Sequence, residues 1–170
     1  MPDSKTGYVA RMGLMFALAI ALSWLESLVP VPGMPGIKLG LSNIVTLYCV
    51  TALGPVSALA LAALKGLFAL TRGVTSGMMS AAGGLCSVGV MLAMSKHSSR
   101  AFCSVCGAIS HNAAQLAVAA LLLKNAVALY YLPVLLISGV VMGLITSTLL
   151  TALEPVVRKA TGKDNEQEKK

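Results

Sequence analysis

Apolar residues dominate this chain in long runs, and polar residues appear mainly as punctuation between them. Gly, Pro and charged positions divide the sequence into six apolar stretches: Gly7–Val29, Leu39–Leu53, Pro55–Thr71, Gly77–Ser95, Arg100–Leu123 and Tyr131–Leu153. Most of them, wound as helices, reach across a hydrocarbon core of about 30 Å. Nothing alternates in and out over segments of about 10 residues, which excludes a transmembrane β-barrel. The pattern predicts an all-α, polytopic membrane protein: a compact bundle of six transmembrane helices in a single domain over residues 1–160, followed by a polar tail at 161–170. The second and third stretches are short and joined only by Leu53-Gly54-Pro55. Merging them into one kinked element would give five spans instead.

Composition sharpens this picture. Only 11% of the 170 residues are charged and 56% are hydrophobic, whereas a soluble domain carries about 25% charged residues. The first stretch begins after a short positive segment, as a secretory signal does, but it runs on to Val29 and more spans follow, so it reads as a retained helix. Of the 13 basic residues, the six-span arrangement puts Lys5, Arg11, Lys96, Arg100, Arg158, Lys159, Lys163, Lys169 and Lys170 on one side. An excess of Lys and Arg marks the cytoplasmic side, so both termini are expected there. The net charge of +7 is spread over loops flanking spans, with no basic stripe interleaved by aromatics, and nucleic acid is not an expected partner. Membrane lipid is.

Polar groups inside an apolar span are expensive, and each is a functional candidate by default. Glu26, Asn43, Lys65, Arg72, His111, Asn112 and Gln115 all fall from mid-span to the outer half, leaving the inner halves almost purely Ala, Leu, Val, Met and Gly. Lys65 and Arg72 are seven apart and share a helix face, as do His111 with Gln115 and Asn112 with Gln115. These faces are expected to line one ligand cavity, with Lys38 at its mouth. Structural alternatives exist for each residue: Lys65 snorkelling to the interface with Glu26 as its ion-pair partner, His111 as a satisfied core residue, Asn112 and Gln115 as interhelical glue. The one-sided clustering is what those alternatives leave unexplained.

The loop Pro30 to Lys38, with Pro32, Gly33, Pro35 and Gly36, is too broken for a helix and reads as a lid over the cavity. The balance of Lys38, Lys65 and Arg72 against Glu26 points to a ligand bearing a carboxylate, a phosphate or a polarised carbonyl. Trp24, Tyr48 and Phe68 are candidate stacking walls, and Tyr130 and Tyr131 suit the interfacial belt. Gly13-x-x-x-Ala17-x-x-x-Ala21 makes a stripe of small residues on the first helix that lets another helix approach closely, with internal packing as its default role.

No G-x-x-x-x-G-K-[ST] phosphate loop occurs, so energised transport would need an ATPase on another chain. No His-x-x-x-His or paired Cys-x-x-Cys is present; Cys103-x-x-Cys106 stands alone, and Cys49 and Cys86 lie in apolar stretches, so no metal and no cofactor is expected.

The run Pro35-Gly36-Ile37-Lys38-Leu39-Gly40-Leu41-Ser42-Asn43-Ile44-Val45 and the run His111-Asn112-Ala113-Ala114-Gln115-Leu116 resemble the bacterial Gx transporter family, also labelled heptaprenyl diphosphate synthase component I. The resemblance covers nearly the whole chain. In size and six-helix layout that family is similar to the substrate-binding S components of energy-coupling factor (ECF) transporters. The resemblance implies an outward-facing pocket closed by the loop between helices one and two, and a multi-pass location in the bacterial plasma membrane. It also implies partners on other chains, a coupling transmembrane subunit with ATPases, docked through Ala17 and Ala21 on the stripe that begins at Gly13. The function expected on this basis is capture of a small vitamin-like ligand for uptake, without catalysis. The alternative is a non-catalytic accessory subunit of a prenyl diphosphate synthase. Chain elongation of that kind resembles chemistry run on Asp-rich motifs holding magnesium, and this chain has only Asp3 and Asp164, both outside the spans.

Overall fold

The computed structural model describes residues 5–28, 40–124 and 130–160. Six helices make up the bundle: α1 (Lys5–Ser27), α2 (Asn43–Tyr48, continued by a π-helical turn, Cys49–Leu53), α3 (Pro55–Ala69, continued by a 3-10 turn, Leu70–Arg72), α4 (Val74–Met94), α5 (Arg100–Leu123) and α6 (Leu132–Ala160). Five of them are long and apolar enough to cross a membrane. The chain is thus the expected all-α membrane bundle, with one difference. The second element runs only from Asn43 to Leu53, which at 1.5 Å per residue covers about 16 Å, half a bilayer core. It is a short buried helix packed inside the bundle: every residue from Asn43 to Val50 is buried.

The merged five-span alternative fails at Gly54. This residue has φ +93°, a left-handed conformation open to glycine, and Pro55 follows at the first position of α3, where its missing N–H costs nothing. The chain reverses there. Lys65 Nζ reaches back to Thr46 Oγ1 at 3.4 Å, a contact that a continuous helix, separating them by about 28 Å, would forbid.

Packing among α3, α4, α5 and α6 rests on glycine. A Cβ on Gly66 would meet Ala81 at 2.9 Å, one on Gly139 would meet Ile109 at 3.2 Å, and one on Gly143 would meet the Val105 backbone at 2.5 Å. With no apolar solvent effect to drive helices together in lipid, close backbone approach is the main source of attraction. The α4–α5 turn is set by Ser99, whose hydroxyl accepts from Phe102 N–H at 3.3 Å as the N-cap of α5. At that same end Arg100 Nη1 pairs with Glu154 Oε2 of α6 at 2.7 Å, a tie between helix ends that composition alone did not single out.

Helix α1 is the least embedded. Met12, Met15, Ala19, Ser23 and Glu26 face inward at helical spacing, while Gly13, Ala17 and Ala21 are exposed on the opposite side, and a Cβ on Gly13 would meet nothing within 4 Å. Among the described residues, the stripe of small residues therefore faces away from the bundle core. The outer surface elsewhere is studded with exposed Leu, Ile and Val, among them Leu67, Ile137 and Leu144, an exterior suited to lipid.

Candidate functional site

A narrow cleft, open at its mouth, lies at the end of the bundle where α1 stops and α2 starts, enclosing about 370 Å3 when the open solvent at its mouth is included. Only a small part of it is wide enough for a water molecule. Helix α1 contributes Ala19, Ile20, Ser23 and Glu26; Ser42 comes from the turn before α2; α3 supplies Lys65, Phe68 and Arg72; α4 supplies Ser80; α5 supplies His111 and Gln115. Five separate stretches of the chain thus converge on one polar space inside an apolar bundle.

Each helix presents its polar residues there for a local reason. On α3, Lys65, Phe68 and Arg72 follow the i, i+3, i+7 spacing and share a face. The Arg72 guanidinium, near the exposed mouth, has one hydrogen bond, to Ser23 Oγ at 3.4 Å. Phe68 is held from behind by Phe16, the rings edge to face with centroids 6.2 Å apart. On α5, Gln115 Nε2 lies 3.0 Å from His111 Nε2 one turn earlier. An amide NH2 only donates, so the neutral imidazole accepts at Nε2 and carries its proton on Nδ1. The pair exists because Gly83 of α4 faces it: a Cβ there would sit 2.9 Å from Gln115 Cγ and 3.0 Å from the His111 ring.

Glu26 is 3% exposed, and its Oε1 accepts from the backbone N–H of Gly40 and, at 3.2 Å, of Leu41. It ties the end of α1 to the start of α2. Gly40 adopts φ +97°, and a Cβ on it would press to 3.0 Å from Asn43 Nδ2, so glycine is required there twice over.

Of the eight residues expected to bind ligand, Glu26, Lys65, Arg72, His111 and Gln115 line the cavity. Asn43 is buried beside Gly40 without lining it. Asn112 does not share the Gln115 surface: it turns to α6, donating from Nδ2 to Leu135 O at 3.0 Å and Ser138 Oγ at 3.5 Å, and so acts as helix glue. The one-position offset from His111 turns it about 100° around α5, which the shared i, i+3 relation with Gln115 had obscured. Lys38 and the lid residues Pro32, Gly33, Pro35 and Gly36 lie outside the described residues, as does the tail at 161–170. Ser23, Ser42 and Ser80 were not singled out from sequence. The signal for Ser23 was its place one turn before Glu26 on the same face; isolated serines in the other stretches carry no such mark. Among the described residues, no group of three or more His, Cys, Asp or Glu is placed to hold a metal ion.

The chain matches the family Heptaprenyl diphosphate synthase component I over residues 15–153 and belongs to it. That stretch holds every cavity residue and the bundle from Met15 to Leu153. Comparison with curated proteins and with solved structures gives no match.

Proposed function

We propose that this protein is a membrane-embedded substrate-binding subunit of an ECF-type transporter, taking a small molecule at the outer face for uptake. The observation that carries the reading is the convergence of Glu26, Lys65, Arg72, His111 and Gln115 on one cavity at one end of the bundle. Burying that many polar side chains in lipid is expensive, and they gather where a ligand can repay the cost. The membership of the family, which resembles the S components, supports the same reading. In it, α2 and α3 form a hairpin entered and left at the outer face, so that both termini are cytoplasmic; the membrane is the bacterial plasma membrane, and the protein itself catalyses nothing.

The exposed Gly13, Ala17 and Ala21 stripe is the docking face for a coupling subunit that carries the ATPases. Among the described residues nothing packs on Gly13, so substitution there separates docking from folding. Gly13→Leu is expected to leave the thermal midpoint of the detergent-solubilised protein near that of the unsubstituted chain while abolishing co-purification with a coupling subunit. A retained complex would sink this assignment.

The family description favours a second reading, an accessory subunit of a prenyl diphosphate synthase. Among the described residues the carboxylates are Glu26 and Glu154. They stand at opposite ends of the bundle, Glu26 against Gly40 and Glu154 paired with Arg100, whereas magnesium held against a diphosphate calls for carboxylates grouped together. Native mass spectrometry of the protein gently extracted from its own host decides between the two. A coupling subunit with ATPases, or a retained small molecule, supports transport. Recovery with a soluble synthase subunit and an empty cavity supports the accessory role.

A further inference from the structure

The cavity also carries information about what it holds. Gln115 is 3% exposed and turns its amide NH2 to His111, but its Oε1, also buried, has no hydrogen-bond partner among the described residues. A buried acceptor without a donor is costly in water-excluded surroundings, and native proteins leave few of them. At the mouth, Arg72 uses one contact of 3.4 Å out of the five N–H donors a guanidinium has, in a planar fork shaped for carboxylate or phosphate. Phe68, one turn from both Lys65 and Arg72 and packed edge to face on Phe16, lines the same cavity and offers an apolar wall.

From these three features we infer that the ligand is a two-ended organic anion: a carboxylate or phosphate set against Arg72, an apolar or aromatic middle against Phe68, and an N–H or O–H donor delivered to Gln115 Oε1. The inference rests on the substrate-binding reading above and adds the chemistry of the cargo. Each end has a distinct job. The anion is drawn in by the cations near the mouth, and the donor is required because only a donor satisfies Gln115. A molecule with the anion but no donor leaves that oxygen orphaned, the kind of loss by which polar sites reject near-isosteres strongly.

The test uses three probes of one shape. 4-Hydroxybenzoate carries the carboxylate, the ring and the O–H donor; 4-methoxybenzoate lacks the donor; methyl 4-hydroxybenzoate lacks the charge. Binding of each is measured by isothermal titration calorimetry to the full chain in detergent, for the unsubstituted protein, Gln115→Met and Arg72→Gln, with thermal midpoints confirming that the variants fold. Retained host ligand is assayed in parallel by native mass spectrometry. The expected result is 4-hydroxybenzoate binding at least about 10-fold tighter than either analogue, the size of one buried hydrogen bond or charge contact. Gln115→Met is expected to erase the difference between hydroxy and methoxy probes while keeping that between acid and ester, and Arg72→Gln to do the reverse.

An analogue binding as well as 4-hydroxybenzoate, or a preference that survives the matching substitution, overturns the inference and leaves the transport reading standing. If no probe binds but a host molecule is retained, its composition decides: an anion with an N–H or O–H group supports the inference, and a neutral, cationic or donor-free molecule overturns it. If nothing is bound or retained, the inference falls, and the transport reading then stands or falls on co-purification of a coupling subunit.

Discussion

Gly143→Ala is expected to destabilise the bundle by about 2–3 kcal/mol, toward the upper end of what overpacking costs. The added methyl would lie 2.5 Å from Val105 Cα and 2.9 Å from Val105 N. Both are backbone atoms of α5, so relief comes only by moving one helix away from the other, and that forfeits contact along the whole α5–α6 seam. Gly107→Ala provides the contrast. Its Cβ would come still closer to a neighbour, 2.2 Å from Met91 Cε and 2.6 Å from its Cγ, but these are atoms of one flexible side chain, which can change rotamer without moving a helix and so at smaller cost. Unfolding is measured with a thiol-reactive dye, since Cys49 and Cys103 are buried and become reactive only on unfolding. The exposed Cys86 is replaced by Ser in every variant to lower the background. The expected order of midpoints is unsubstituted, then Gly107→Ala, then Gly143→Ala. If Gly143→Ala melts with the unsubstituted chain, α5 and α6 are not packed as closely as described.

That seam also shows where a sequence stops being legible. The run of apolar residues from Tyr131 to Leu153 announces a span without ambiguity, because length and hydropathy are properties of one segment. Which of its faces meets α5 is a property of two segments, and the small residues Gly139 and Gly143 repeat a spacing that Gly13, Ala17 and Ala21 share. In one case the stripe is sealed against Val105 and Ile109; in the other it is exposed. Spacing is common to both, and only tertiary placement separates them. The same limit explains α2. Gly54-Pro55 marks a break in the sequence, but whether the short stretch before it crosses the membrane or folds inside the bundle depends on the neighbours that bury Asn43 to Val50.

The cavity was more legible than the packing. Lys65, Arg72, His111, Gln115 and Glu26 stand out because each is a polar residue in an apolar span, and lipid makes such residues conspicuous. Asn112 stood out for the same reason, yet its amide serves α6 through Leu135 O. Polarity in a span thus says that a partner exists without saying whether it is a ligand or a helix. Hydrogen-bond completion separates the two: Asn112 has its partners in the protein, and Gln115 Oε1 has none.

Glu26 lines the cavity and at the same time anchors the backbone before α2, and Glu26→Ala is the second large effect expected. Its Oε1 holds the N–H groups of Gly40 and Leu41, and it is the carboxylate that shares the cavity with Lys65 and Arg72. Alanine removes the acceptor for two amides, of which Gly40 is buried, and strips the counter-charge from two cations. Together these cost roughly 2–5 kcal/mol, the range for orphaning buried donors or half of a buried charge pair. Glu26→Gln keeps an oxygen for the backbone but not the charge, so its midpoint is expected between those of alanine and the unsubstituted chain. Binding then moves the other way. A carboxylate beside the cations opposes an incoming anion, so Glu26→Gln, where folded, is expected to bind an anionic probe at least as tightly as the unsubstituted protein. Full stability with lost binding would instead make Glu26 a direct ligand contact. Lowered stability with retained or tightened binding identifies it as the anchor that holds α1 to α2 and offsets part of the positive charge of Lys65 and Arg72 in the cavity.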